Sequence, residues 1–230
     1  MLEKFSNEDQ RNLWEAQHEA RRTESREIEG APNFFAKRCV ELLPRDALVV
    51  EIGSANGRDS RFFAREKNCK VIAIDFSLSA LKQLHEASGR DNTVGKVFPV
   101  VADARMLPLG EPENADAFYS RSALHISDEE LDRFIEECLQ LLKDGGYIMI
   151  EGKTDEDSKV TVSKEISPNL YEDGASHLRR SWNEAIIRNL IERHGLHLIE
   201  INKTTEVWNE VEEKFINFIA QKLNNHESAT

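Results

Sequence analysis

The stretch Val49-Val50-Glu51-Ile52-Gly53-Ser54-Ala55-Asn56-Gly57-Arg58-Asp59-Ser60 constrains this chain more than any other. It reads as an apolar strand, a glycine-containing turn and the start of a helix, with an acid, Glu51, near the strand end. A second apolar strand, Val71-Ile72-Ala73-Ile74-Asp75, also closes on an acid. Glycine at such a turn lets a ligand lie against bare backbone, and an acid ending the next strand can hold ribose hydroxyls. The pair points to a nucleotide-like cofactor.

The rest of the chain supplies the fold for such a turn. Leu48–Ile52, Val71–Asp75, Lys96–Val101, Ala115–Tyr119 and Tyr147–Ile150 read as buried strands. Between them, Arg61–Lys67, a segment capped by Ser77, and one capped by Asp128 read as amphipathic helices. Alternation of this kind predicts a mainly parallel sheet with helices on both faces. Near the C-terminus, Leu196–Ile201 and Phe215–Ala220 read as two strands that can pair as an antiparallel hairpin. Upstream, Ser6 with Asp9 predicts a capped helix carrying Leu13 and Trp14, which Gly30 ends, and Pro32 suits the first turn of the next. The expected organisation is a helical arm or lid over 1–30, one domain over 31–222, and a flexible tail over 223–230. Residues 152–180 are polar and lack periodicity, so they are expected to form a long acceptor-side loop.

Composition narrows the function. A net charge of −12 disfavours nucleic acid, whose binding depends on Lys and Arg neutralising phosphates. No stretch approaches the ~20 apolar residues of a membrane span, and the first residues lack the basic-then-apolar order of a secretory signal. Three scattered cysteines, Cys39, Cys69 and Cys138, form no CxxC pair and suit free thiols in a reducing compartment. A cytoplasmic location is expected. No metal is expected, because His194 and His197 flank a helix end broken by Gly195. A homodimer is left open.

With Glu51-Ile-Gly-Ser-Ala-Asn-Gly57 as its core, the segment from Pro32 to Lys222 resembles the class I (Rossmann-like) S-adenosylmethionine-dependent methyltransferases, small-molecule branch. The resemblance implies a seven-stranded, mostly parallel α/β sheet ending in an antiparallel hairpin. It implies S-adenosylmethionine as cofactor and S-adenosylhomocysteine as product. It also assigns roles. Gly53, Ser54, Ala55 and Gly57 would carry the cofactor loop, and Glu51 would face the methionine amino group. Asp75 would take the ribose hydroxyls and Phe76 would lie beside the adenine. Asp103 and the Ala104 amide would read the adenine edge, and Ser120 would border the transferring methyl. Ala55 stands where the family usually has glycine, and a negative φ is expected there. A dinucleotide reading fits less well, since the glycines are spaced G-x-x-x-G and Glu51 would oppose a pyrophosphate.

The acceptor side is less determined. His125 and His177 are candidate general bases. Arg121, Arg179 and Arg180 are candidate clamps for an anionic acceptor, whereas Glu151, Asp155, Glu156 and Asp157 would welcome a cation. Trp14 would close over the site from the lid. The acceptor is expected to be a small molecule; a non-catalytic cofactor-binding scaffold, a nicotinamide oxidoreductase and a protein methyltransferase are the alternatives.

Overall fold

The computed structural model of the chain describes residues 6–23, 31–108, 110, 115–208 and 210–224. The expected helix end at Gly30 and most of the tail, 225–230, lie outside them. Ser6 caps α1 (Asn7–Thr23), accepting from the Asp9 amide at 3.2 Å and donating to its carboxylate at 2.6 Å. Asn33, rather than Pro32, starts α2 (Phe34–Leu42): its side chain accepts from the Ala36 amide at 2.7 Å. This satisfies one of the donors that a helix start leaves free.

β1 (Leu48–Ile52), α3 (Arg58–Glu66), β2 (Lys70–Asp75), α4 (Leu78–Arg90), β3 (Val97–Val101), β4 (Ala115–Arg121) and α5 (Asp128–Leu141) follow in the expected alternation. Ser77 caps α4, accepting from the Ala80 amide at 3.1 Å. The cap of α5 is Ser127, not Asp128. Its hydroxyl accepts from the Glu130 amide at 3.3 Å while the Glu130 carboxylate takes the Ser127 amide at 2.8 Å, a complete capping box. Asp128 falls in the first turn, where its charge suits the helix dipole.

The chain then runs through β5 (Leu142–Thr154), α6 (Ser158–Thr161), β6 (Lys164–Ser167), β7 (Leu170–Glu172), β8 (Leu178–Trp182), α7 (Glu184–Arg193), β9 (Leu196–Trp208) and β10 (Val211–Lys222). The expected loop at 152–180 is therefore mostly ordered structure. β5 continues to Thr154, and β6, β7 and β8 form an antiparallel meander attached to its end through Lys153↔Ser181 and Thr154↔Trp182. The strands of this meander are three to five residues long, too short for alternation to register in sequence.

The central sheet runs β3-β2-β1-β4-β5 in parallel, β10 joins β5 antiparallel, and β9 pairs antiparallel with β10. This is the seven-stranded sheet with a terminal hairpin that the sequence implies; the meander is additional. Because side chains alternate across a strand, successive residues feed two cores. Val50, Ile52, Phe118 and Ile150 pack with Leu131 and Ile135 of α5 and Ile187 of α7. Val49, Val71, Tyr119 and Met149 pack with Phe35 of α2 and Phe63 of α3. The three cysteines are free and buried. No helix among the described residues is long and apolar enough to cross a membrane. The order reverses between β1 and β4, so the crevice for a ligand opens at their carboxyl ends.

Candidate functional site

A cavity of about 570 Å³ occupies that crevice. Its floor is the turn after β1. The amides of Gly53 and Ser54 donate to the Ile74 carbonyl at 2.8 and 3.0 Å, and the Gly57 amide closes the turn on the Ser54 carbonyl at 2.8 Å. Gly53 has φ +71°, and a Cβ there would overlap that of Ala123. Gly57 serves packing instead. It does not line the cavity, and a Cβ on it would run into Leu84 of α4.

Ala55 has φ +47°, against the expected negative value. Its amide donates to Asp75 Oδ2 at 2.9 Å, and this bond to a buried carboxylate holds the unfavourable conformer. An alanine in the left-handed region costs roughly 1–2 kcal/mol. Ala55→Gly should therefore raise stability by about 1 kcal/mol with the turn unchanged, as read by urea unfolding; a loss of stability would show that the strain is not there.

Six acids border the cavity: Glu51, Asp59, Asp75 and Asp103 around the β1 turn, with Glu206 of β9 and Glu213 of β10. Glu51 is buried on β1 and accepts from the Ser60 hydroxyl. Burial first, then the charge of Asp59, pushes its carboxyl up to about 8, with Ser60 opposing. Asp59, in the first turn of α3, was given no role from sequence. It is held by the Asn33 amide at 2.6 Å, the Tyr119 hydroxyl at 3.0 Å and Arg58 at 3.2 Å, so it cannot turn away from Glu51. The Asp75 carboxylate also takes the Ser77 amide at 2.8 Å. Burial raises its pKa, and these backbone donors oppose the rise. Asp103 receives both Arg105 Nε and Nη2, at 2.9 and 2.6 Å. Burial pushes its carboxyl up, but Arg105 prevails and holds it below the usual range. Phe76 and Ala104 line the same wall.

Beyond β4 the picture differs from expectation. Ser120 does not line the cavity; its hydroxyl is buried against the Ile52 carbonyl at 3.2 Å. β4 runs two residues further than expected, to Arg121, and Arg121, Ser122 and Ala123 take the cavity-facing positions. Arg121 is not a free clamp. Its Nε donates to Glu151 at 2.6 Å and Nη2 to Glu206 at 2.7 Å, over the Phe215 ring at 4.8 Å. Burial lowers the affinity of its guanidinium for the proton, but these carboxylates more than restore it. Arg180 is structural: it is 1% exposed, outside the cavity lining, and bonded to the Ile126 carbonyl at 2.9 Å and Asp128 at 2.5 Å. Its neighbour Arg179 projects from the other face of β8 into the cavity.

The two candidate bases also separate. His177 sits at the edge of Trp14, 4.9 Å between ring centroids, and does not line the cavity. His125 does line it, but Nδ1 accepts from the Arg180 amide at 3.2 Å. That bond occupies the basic lone pair, so the neutral ring carries its proton on Nε2. Burial, then Arg179 and His177, pull its pKa down to about 3. A neutral ring held in this way presents an N–H donor at Nε2.

α1 roofs the cavity with Gln10, Trp14, Gln17 and His18. It is fastened on both sides. Gln10 bridges the Ser176 carbonyl and the Leu178 amide, each at 2.9 Å, while Glu15 accepts from the Ser79 amide at 3.0 Å. Of these, Trp14 was expected from sequence; Gln10, Gln17, Lys153, Glu206 and Phe215 were not. They come from elements that only folding brings to β1.

Fold and cavity together define a Rossmann-like cofactor-binding domain. Residues 49–146 match the family model described as a methyltransferase domain, and this match together with the fold supports the resemblance to the class I S-adenosylmethionine-dependent methyltransferases. It is 25% identical, over 68% of its length and 86% of the relative's, to a candidate protein N5-glutamine methyltransferase of Methanocaldococcus jannaschii. A SAM-dependent methyltransferase of Methanosarcina mazei shares the fold at TM-score 0.65 and 17% identity, covering 81% of this chain and 97% of that one. So does the 1,6-didemethyltoxoflavin-N1-methyltransferase of Burkholderia thailandensis, solved with its substrate and S-adenosylhomocysteine, at TM-score 0.65 and 16% identity over 95% and 91%.

The family's cofactor, S-adenosylmethionine, suits the residues present. Acids gather around the β1 turn, which favours a cationic ligand, and two cavity-lining polar atoms there and on the roof, Ser54 Oγ and Gln17 Oε1, are buried without a partner among the described residues. Such atoms are costly unless a ligand or water meets them.

Proposed function

We propose that this chain methylates a small-molecule acceptor taken up beneath α1. The observation that carries the reading is the single continuous cavity joining the acidic wall of β1 and β2 to the Arg121–His125–Arg179 wall. Its volume lies within the range of small-molecule sites, ~300–1,000 Å³. With the cofactor inside, the space left suits a small compound better than a folded chain.

In this reading Glu51 and Asp59 receive the cofactor's ammonium group, Asp75 the ribose hydroxyls, and Phe76 with Ala104 the adenine. Asp103 reads the adenine edge only after exchanging its bonds to Arg105. The bound cofactor supplies a methyl group already activated on a sulfonium. What remains for the protein is to align the acceptor and keep water out. α1 does the second by lying across the opening, with Trp14 packed on His125 at 5.7 Å between centroids.

The test is S-adenosylhomocysteine release by the full chain, offered small carboxylates, phenols, amines and thiols in parallel with a glutamine-containing peptide. The peptide arm is included because the archaeal relative is named for protein glutamine methylation. Release with a small compound and not with the peptide is expected. Preference for the peptide would replace this reading with a protein methyltransferase. Tight cofactor binding with no release from any arm would favour a non-catalytic scaffold.

A further inference from the structure

Among the cavity-lining polar atoms that the fold leaves unmatched, two on the loop after β4, the Ser122 hydroxyl and His125 Nε2, can donate. His125 Nε2 is sealed from solvent and has no partner among the described residues. Its proton is fixed there because Nδ1 is engaged by the Arg180 amide. The Ser122 hydroxyl, on the same loop and in a residue with φ +52°, is likewise buried and unmatched. Arg179 spends only Nε, on Asp173 at 3.0 Å; its two terminal nitrogens meet no acceptor among the described residues. Its guanidinium lies 4.8 Å over the Trp14 ring, which also stacks on His125, so the two donors share one wall beneath the lid.

The neighbouring cations are differently placed. Arg121 is bound to Glu151 and Glu206, and Lys153 to Asp157 and Glu213. Each of those charges is answered within the protein. Arg179 is answered in part and faces the cavity with a fork of free N–H groups, the geometry that matches a planar carboxylate. Asp173 and the Ser122 backbone act on His125 in the opposite sense, but more weakly than burial, Arg179 and His177.

We infer that the acceptor carries an anionic oxygen, of carboxylate type, which His125 Nε2–H and the Arg179 guanidinium hold together, with the Ser122 hydroxyl as third donor. His125 is thus an acceptor-binding donor. This rests on the methyltransferase reading for the word acceptor, but the subsite itself is defined by the donors alone. An amine would meet N–H groups and a guanidinium, and a buried polar group facing its own kind is strongly disfavoured.

Benzoate serves as the probe, with benzamide and benzylamine as neutral and cationic counterparts. The full chain, labelled with ¹⁵N-histidine and saturated with S-adenosylhomocysteine, is titrated with each by NMR. His125 should show the Nε2–H tautomer, and benzoate should move that resonance. Benzamide and benzylamine should bind at least about tenfold more weakly. Arg179→Gln should weaken benzoate by about tenfold or more while S-adenosylhomocysteine affinity stays within about twofold. His125→Gln, which keeps an N–H donor, should retain benzoate; His125→Phe should lose it. An Nδ1–H tautomer, an unmoved resonance, or benzylamine binding as well as benzoate would overturn the inference. The same titration without S-adenosylhomocysteine separates the two readings. If that ligand fails to bind, the cofactor assignment falls, while benzoate's effect on His125 still decides the subsite.

Discussion

Gly53→Ala should abolish cofactor binding and lower stability by about 2–4 kcal/mol. Two costs combine. The left-handed φ of +71° costs an alanine roughly 1–2 kcal/mol, and forcing a methyl into occupied space adds ~1–3 kcal/mol. The occupied space is the methyl of Ala123, on the loop after β4. Relief of the overlap must therefore push the β1 turn and the β4 loop apart, and both line the cavity. A double variant, Gly53→Ala with Ala123→Gly, removes the overlap but not the backbone strain. It should recover the packing part of the stability and leave a deficit of about 1 kcal/mol. Urea unfolding and calorimetry with S-adenosylmethionine check both parts. Cofactor affinity within about threefold of wild type in the single variant would show that the close approach of the two loops is unimportant.

Glu51→Gln should cost on the order of 100-fold in cofactor affinity near pH 8 and erase its pH dependence. A charge-assisted hydrogen bond is worth ~1.5–3 kcal/mol, and the amide cannot supply it. The pH signature is more telling. In the free protein, burial and Asp59 keep the proton on Glu51 up to about 8, against an ordinary value of 4.5. Between those values the folded chain holds a proton that the unfolded chain has released. The contribution to stability is thus fully present below about 4.5 and is lost as pH rises through about 8. A cationic ligand reverses the preference: it favours the carboxylate, so binding expels the proton. Wild-type affinity should rise by nearly tenfold per pH unit between about 6 and 7.5. The Gln variant should lose that slope and show a flatter stability profile, being relatively more stable at alkaline pH. Calorimetry in buffers of different ionisation enthalpy measures the released proton directly; equal slopes for both proteins would remove Glu51 from the ammonium site.

Residues at strand ends were legible because position along a strand is local information. Glu51 and Asp75 close apolar runs, and Gly53 follows one, so their placement at the crevice needed only the alternating pattern. The caps at Ser6 and Ser77 were legible for the same reason. Errors arose where two adjacent residues competed. Ser127 and Asp128 are both good caps, and the reciprocal bond to Glu130 decided for Ser127. Ser120 and Arg121 both end β4, and extension of the strand to Arg121 turned Ser120 inward. Arg179 and Arg180 are neighbours on β8, yet one faces the cavity and the other is buried on Asp128. In the two strand pairs a shift of one residue exchanges inside for outside, and composition carries no trace of which register wins.

From its sequence alone this chain is an alternating α/β sheet with a tight, acid-flanked turn for a nucleoside-like cofactor, because apolar periodicity and glycine chemistry act over a few residues. The tertiary structure alone decided the rest. It set the tautomer of His125 through the Arg180 amide, tied Arg121 to carboxylates from β5 and β9, and laid α1 across the opening. These are contacts between residues 30 to 168 positions apart, and the charge a side chain can offer a ligand is what remains after such partners have taken their share.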